Sequence, residues 1–174
     1  MRYLHTKLIL ILVTFSMIQL NAQSQKNIDW KPFEFLIGSW TGEGGGKPGE
    51  GKGNFSFDFD LDKNVLIRKN HNEIPASEKS PASIHNDLLI VYPDGNDSFK
   101  AIYFDNENHI INYCVKSNPE SLIFESEKNN STPRFRLTYT KLSPEKVNIL
   151  FEIAMPNNPD NYFKYLEGSA VKQK

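Results

Sequence analysis

Histidine, arginine, tyrosine and the carboxylates are the side chains of this sequence with the widest chemical reach. Beyond residue 23 the histidines are His71, His85 and His109. A zinc site needs three or four converging ligands, commonly at close local spacing. No two of these histidines stand near enough in sequence. A carboxylate such as Asp87, two residues from His85, offers a companion on the same face of a strand. A structural or surface role for each histidine is favoured, and no metal is expected. The sequence holds no phosphate-binding loop, nucleophile elbow or metalloprotease helix motif. The run GEGGGKPGEGKG precedes a strand pattern, so it lacks the helix N-terminus that a phosphate site uses.

The segment RKNH, Arg68 to His71, is more suggestive. In an extended chain Arg68 and Asn70 share one face, and His71 shares the other with Ile67. Taking Val65 and Ile67 as buried turns His71 inward, in company with Tyr103, Tyr113, Tyr139 and Tyr165. Several phenols and one imidazole in an interior would orient the polar end of an apolar ligand. The same tyrosines also fit a rim, with rings buried and hydroxyls wet. The opposite parity carries Arg68, His85, Asp87, Glu125, Arg136 and Glu152. These read as a solvated face with cross-strand ion pairs. A bulge in RKNHNEI would instead exchange inside for outside and let Arg136 bind a carboxylate.

The elements that must position these residues follow a two-residue beat. In NFSFDFDL, Phe55, Phe57, Phe59 and Leu61 alternate with Asn54, Ser56, Asp58 and Asp60. In RFRLTYT, Phe135, Leu137 and Tyr139 alternate with Arg134, Arg136 and Thr138; Val147 to Ile153 repeats the pattern. Turn signals separate the runs: Asp62 to Asn64, the loop with Pro75 and Pro81, PDGNDS, DNEN, KNNSTP and MPNNPDN. About ten short strands at regular spacing make an antiparallel meander, with no gap long enough for parallel crossovers. A sheet of that size with one wet face closes on itself, which removes both edges. The expected fold is therefore all-β: one up-and-down antiparallel barrel of about ten strands. WKPFEFLIG adds a short N-terminal helical turn, begun at Pro32 and stopped by Gly38. Trp40 then lies across the base as an apolar floor, and the glycine-rich run becomes a mobile loop at the mouth.

Composition limits the partners. The chain has 20 basic and 21 acidic residues, scattered along it, for a net charge of −1. Without a basic stripe, nucleic acid is a poor partner. Cys114 is the one cysteine, so no internal disulfide can form and the core must hold the fold. The N-terminal stretch has Arg2 and Lys7 ahead of an apolar core from Leu8 to Ile18, then LNAQ with the small Ala22. It reads as a signal peptide over 1–22, with a mature domain over 23–174 that is secreted or periplasmic and has no further membrane span.

LIGSWTGEGGG is similar to the G-x-W-x-G motif of the calycin barrels, which include lipocalins, fatty-acid-binding proteins and nitrobindin-like haem proteins. Gly38, Trp40, Gly42 and Gly44 fill it. DLDKNVLIRKNHNEIPAS, YPDG, IYFDNENHIINYCV, PRFRLTYT and YLEGSA resemble a family of secreted bacterial domains of unassigned activity with a lipocalin-like barrel. The resemblance implies a barrel with one internal cavity. Nitrobindin-like proteins hold haem iron through a histidine near the C-terminus. The last histidine here is His109, so haem ligation does not carry over and no cofactor is expected.

The expected function is binding of a small, mostly apolar or amphiphilic molecule, as carrier, scavenger or sensor. Its candidate contacts are Trp40, His71, Tyr103, Tyr113, Arg136, Tyr139 and Tyr165. Two alternatives stand beside it. One is a barrel enzyme in which His71, Tyr103 and Arg136 do acid–base work, which requires at least two of them to meet. The other is a cavity-free interaction domain.

Overall fold

The computed structural model describes residues 28–44, 52–78, 80–95, 98–129 and 131–174. The signal peptide expected over 1–22, its boundary and the glycine-rich run over 45–51 lie outside these residues. Ten strands follow in chain order: β1 (Gly38–Gly42), β2 (Lys52–Asp60), β3 (Val65–Ile74), β4 (Ser83–Pro93), β5 (Phe99–Asp105), β6 (Ile110–Asn118), β7 (Ser121–Ser126), β8 (Arg134–Ser143), β9 (Lys146–Ala154) and β10 (Phe163–Lys172). Each pairs antiparallel with the next, and β1 pairs with β10, closing an up-and-down barrel. The expected all-β fold and strand number are those observed. No helix among the described residues is long and apolar enough to cross a membrane.

One end of the barrel, the base, is sealed by a 3-10 turn at Lys31–Leu36, in which Pro32 presets the backbone of the first positions. Phe33 and Leu36 are fully buried. The chain leaves the turn through Gly38 at φ +105°, a conformation open to glycine. Trp40 closes the floor, its indole N–H donating to the Leu36 carbonyl at 2.8 Å and its ring stacked on Phe55 at 6.0 Å. Trp30 donates to the Lys63 carbonyl at 2.8 Å and packs against Phe33, Phe59 and Phe99, pinning the turn to the base of β2 and β3. Above the floor, Phe55, Phe57, Tyr139, Phe124 and Tyr113 form edge-on or tilted ring contacts at 5.5–6.3 Å. Each such pair adds about 0.5–1.5 kcal/mol beyond simple burial.

The β2–β3 turn departs from the sequence expectation. Leu61 continues the apolar beat of β2, yet it is exposed. Leu61, Asp62 and Lys63 all sit at positive φ (49°, 55° and 63°). The Asn64 side chain and backbone both donate to the Leu61 carbonyl, at 2.6 and 3.0 Å. This four-residue left-handed turn pairs Phe59 with Leu66, Phe57 with Arg68 and Phe55 with Asn70. Paired residues share a face, so Leu66, Arg68 and Asn70 point inward with the phenylalanines. Val65, Ile67 and His71 take the outer face, the reverse of the parity read from the sequence.

A second irregularity lies in β10. The register with β9 slips between Lys164, opposite Glu152, and Leu166, opposite Phe151. The bulge leaves Tyr165 as the extra residue, 67% exposed, with its ring edge-on to Phe151 at 6.0 Å.

Candidate functional site

The inward residues of β3, β4 and β5 change from apolar to polar toward the mouth, the end away from the 3-10 turn. On β4, Val91 and Leu89 are core, and the same parity continues into Asp87 and His85. On β3, Leu66 gives way to Arg68 and Asn70. On β5, Ala101 gives way to Tyr103 and Asp105. Register puts Arg68 beside Leu89 and Leu89 beside Tyr103. One step nearer the mouth it puts Asn70 beside Asp87 and Asp87 beside Asp105. The polar residues therefore form two stacked rungs on one wall of the barrel.

Arg68 is the centre of the cluster, 6% exposed. One terminal nitrogen donates to the Tyr139 hydroxyl across the barrel, and the other to Asp87 Oδ1. Asp87 Oδ2 accepts from Asn70 at 2.8 Å and lies 3.4 Å from His85 Nε2. The His85 Nε2 also meets the Tyr103 hydroxyl at 3.1 Å. That hydroxyl donates to Asp105 Oδ2 at 3.2 Å, and Asp105 Oδ2 takes the His109 ring at 2.7 Å. An unbroken string of polar contacts thus runs from buried Tyr139 to the rim at His109.

The charges in this string are strongly biased. Burial favours a neutral Asp87 carboxyl, but the Arg68 guanidinium and the contacts to His85 and Asn70 outweigh it and hold the pKa below the usual carboxylate value. Burial likewise opposes the charge on Arg68, while Tyr139 and Asp87 beside it keep it protonated. His85 is pushed up to about 9, first by its contact with Asp87 and then by Glu107, whose carboxylate lies 3.0 Å from Nδ1. With an acceptor at each ring nitrogen, His85 is an imidazolium at neutral pH. Burial drives the Tyr103, Tyr113 and Tyr139 phenols upward, so all three are neutral donors.

Two donors in this interior are unspent. Arg68 Nε is the one buried side-chain polar atom among the described residues without a hydrogen-bond partner. The Tyr113 hydroxyl, on a ring only 2% exposed, also makes no hydrogen bond to any described residue; its ring packs edge-on to Tyr103 and Phe124. Tyr113 and Arg68 are linked through the same wall: the Tyr113 ring lies 6.5 Å from that of Tyr103, Tyr103 pairs with Leu89, and Leu89 pairs with Arg68.

The facing wall is apolar. Inward positions of β8, β9 and β10 near the mouth are Phe135, Ile149, Phe151, Ile153, Phe163 and Leu166, with Phe135 stacked on Phe151 at 6.0 Å. These side chains are half-buried, and Phe163 and Leu166 are 49% and 52% exposed although they sit on the inward parity. Gly168, opposite Ile149, continues that parity, and a methyl group built on it would meet nothing within 4 Å among the described residues. The mouth half of the barrel is therefore a cup with one polar and one apolar wall.

No protein-family model matches the chain, and no curated protein shows significant similarity to it.

Of the residues singled out in the sequence, Tyr103, Tyr113 and Tyr139 are inside the barrel and belong to the polar cluster or adjoin it. Trp40 is inside too, but fully buried beneath Phe55 and Leu36, as part of the core. His71 is on the outer face, against Asn86 at 2.7 Å and Glu73 at 3.4 Å, because the left-handed turn inverts the parity of β3. Arg136 is also outside: it makes a two-pronged contact with Glu152, at 2.6 and 2.9 Å, and lies over the Tyr162 ring at 4.0 Å. Tyr165 is displaced to the rim by its bulge. The trio His71, Tyr103 and Arg136 is divided between the two faces, so it cannot act as one acid–base unit. Arg68, Asn70, His85 and Asp87 are the interior groups that the sequence reading set outside. Stepping backward by two from the core residues Val91 and Leu89 reaches Asp87 and His85, and that signal was available in the sequence.

Proposed function

We propose that this chain is a lipocalin-like binding protein whose barrel holds a small amphiphile, with its polar end at the Arg68–Tyr113 neighbourhood and its apolar body along Phe135, Ile149 and Phe151. The observation that carries this reading is the split cup: unspent donors on one wall and half-exposed inward apolar side chains on the other, beside the open space at Gly168. Inward apolar side chains left in contact with water are costly, at roughly 25 cal/mol per Å². A buried guanidinium N–H without an acceptor is costly as well. One amphiphilic molecule would relieve both. The signal-peptide pattern at Arg2 to Ala22 supports a place outside the cytoplasm, as carrier, scavenger or sensor.

The test is native mass spectrometry of the full chain expressed in a host that carries out its export, followed by titration with amphiphiles while tryptophan emission and Tm are recorded. The expected result is a co-purified small molecule, or a saturable rise in Tm. A mass equal to the bare mature chain, with no shift from any amphiphile, would refute the proposal.

A further inference from the structure

The polar end of that ligand has a definite chemistry. We infer that the interior site takes an uncharged head group with a carbonyl-type oxygen, an amide, ester or ketone, and discriminates against carboxylates. The inference rests on the binding reading above and goes beyond it in naming the ligand class.

Its first support is the way Arg68 is used. An arginine recognises a carboxylate with two parallel N–H groups. Here both terminal nitrogens are already engaged, one by Tyr139 and the other by Asp87. Nε is the one guanidinium nitrogen left without a partner, so no edge of the group presents two unengaged nitrogens. A single donor suits a single acceptor. The Tyr113 hydroxyl, unpartnered among the described residues, supplies a second donor from β6, on a ring 6.5 Å from that of Tyr103, which is separated from Arg68 by Leu89 in the sheet. A carbonyl oxygen has two lone pairs and can accept from both at once.

Charge balance is the second support. The least exposed charged groups in the cluster are Arg68, Asp87 and Asp105, with side chains 7%, 4% and 3% exposed. His85 adds a positive charge, so the cluster is neutral, and Glu107 at the rim is already spent on His85. No cation is left to compensate an incoming carboxylate, which would be buried close to Asp87. Burying a charge without a partner is among the most unfavourable steps in recognition, whereas a neutral carbonyl loses only water. The apolar wall of Phe135, Ile149 and Phe151 then suits an alkyl or aromatic body.

The experiment titrates the full mature chain at pH 7 with four probes of equal chain length: dodecanamide, methyl dodecanoate, dodecanoic acid and dodecylamine. Affinity is read from tryptophan emission and checked by Tm. The amide and the ester are expected to bind about tenfold or more tightly than the acid. Equal or tighter binding of the acid, or of the amine, overturns the inference and leaves the carrier reading standing. Silence from all four probes overturns both. Tyr113→Phe removes a hydroxyl that no described residue uses, so the variant should keep the wild-type Tm and lose about five- to tenfold in amide affinity. An unchanged affinity in that variant refutes the two-donor head-group site.

Discussion

Replacing Asp87 by Asn is the most informative perturbation of the interior. The change keeps the shape of the side chain and removes its charge. Asp87 is 4% exposed and faces Arg68, Asn70 and His85. The variant leaves the Arg68 guanidinium inside the barrel with no anion beside it, and turns an amide N–H₂ toward one of its donor neighbours. Removing one partner of a buried ion pair costs about 3–5 kcal/mol. For a chain of this size each kcal/mol moves Tm by about 2–4 °C, so the expected fall is roughly 6–20 °C. The assay is urea and thermal unfolding of wild type, Asp87→Asn and a double variant, Arg68→Met with Asp87→Leu. The double variant takes both charges away and should recover at least about 2 kcal/mol over the single one, since apolar replacement of a buried pair is often neutral. If Asp87→Asn costs under about 1 kcal/mol, the level of an exposed pair, water screens the contact and the reasoning about a dry, charge-balanced interior is wrong.

Other perturbations separate the two faces and the two walls. His85, raised to about 9 when folded, contributes stability that is fully present below its unfolded value near 6.5 and is lost as pH rises through about 9; stability curves of wild type and His85→Gln at pH 6 and pH 10 should converge at the higher pH. Gly168→Leu fills open space, so it should leave the fold intact and weaken amphiphile binding by about tenfold or more, read by the same titration. His71→Ala, on the outer face, should change unfolding free energy by no more than about 0.5 kcal/mol and leave binding untouched. Lys63→Gly relieves one of three consecutive left-handed residues and keeps the backbone carbonyl that Trp30 uses; unfolding should show a gain of about 1 kcal/mol.

The barrel was legible because strand periodicity is a local property. Phe55, Phe57 and Phe59 announce a half-buried strand without reference to anything else in the chain, and the turn residues between runs fix the strand number. The interior site was harder to read because it depends on which parity is carried across a turn. Leu61 extends the apolar beat of β2 by one residue, but it belongs to the turn. Counting on from it inverts β3 and places Arg68 and Asn70 in water. No rule of residue preference predicts three non-glycine residues in the left-handed region. The turn is held by contacts with Asn64 and Trp30 that become visible only in three dimensions. On β4 the misreading was of another kind. His85 and Asp87 look like a solvated face by residue type, and only their two-residue spacing from Leu89 and Val91 contradicts that. Tyr103, Tyr113 and Tyr139 keep the inward parity read from the sequence because β5 and β6 pair without a slip and the slip in β8 falls beyond Tyr139, between Lys141 and Ser143.

The pairing of β1 with β10 has a consequence for biogenesis. The seam is short, from Trp40 opposite Lys172 to Gly42 opposite Ala170, and it joins the earliest strand made to the latest. A growing polypeptide can zip its hairpins one after another, yet the cylinder cannot shut until β10 has left the ribosome. Until then the sheet carries two raw margins, each a template for pairing with another chain. Slow delivery of that tenth strand would be the hazardous interval for aggregation, and a holdase that shields β1 meanwhile would raise the yield of closed barrels.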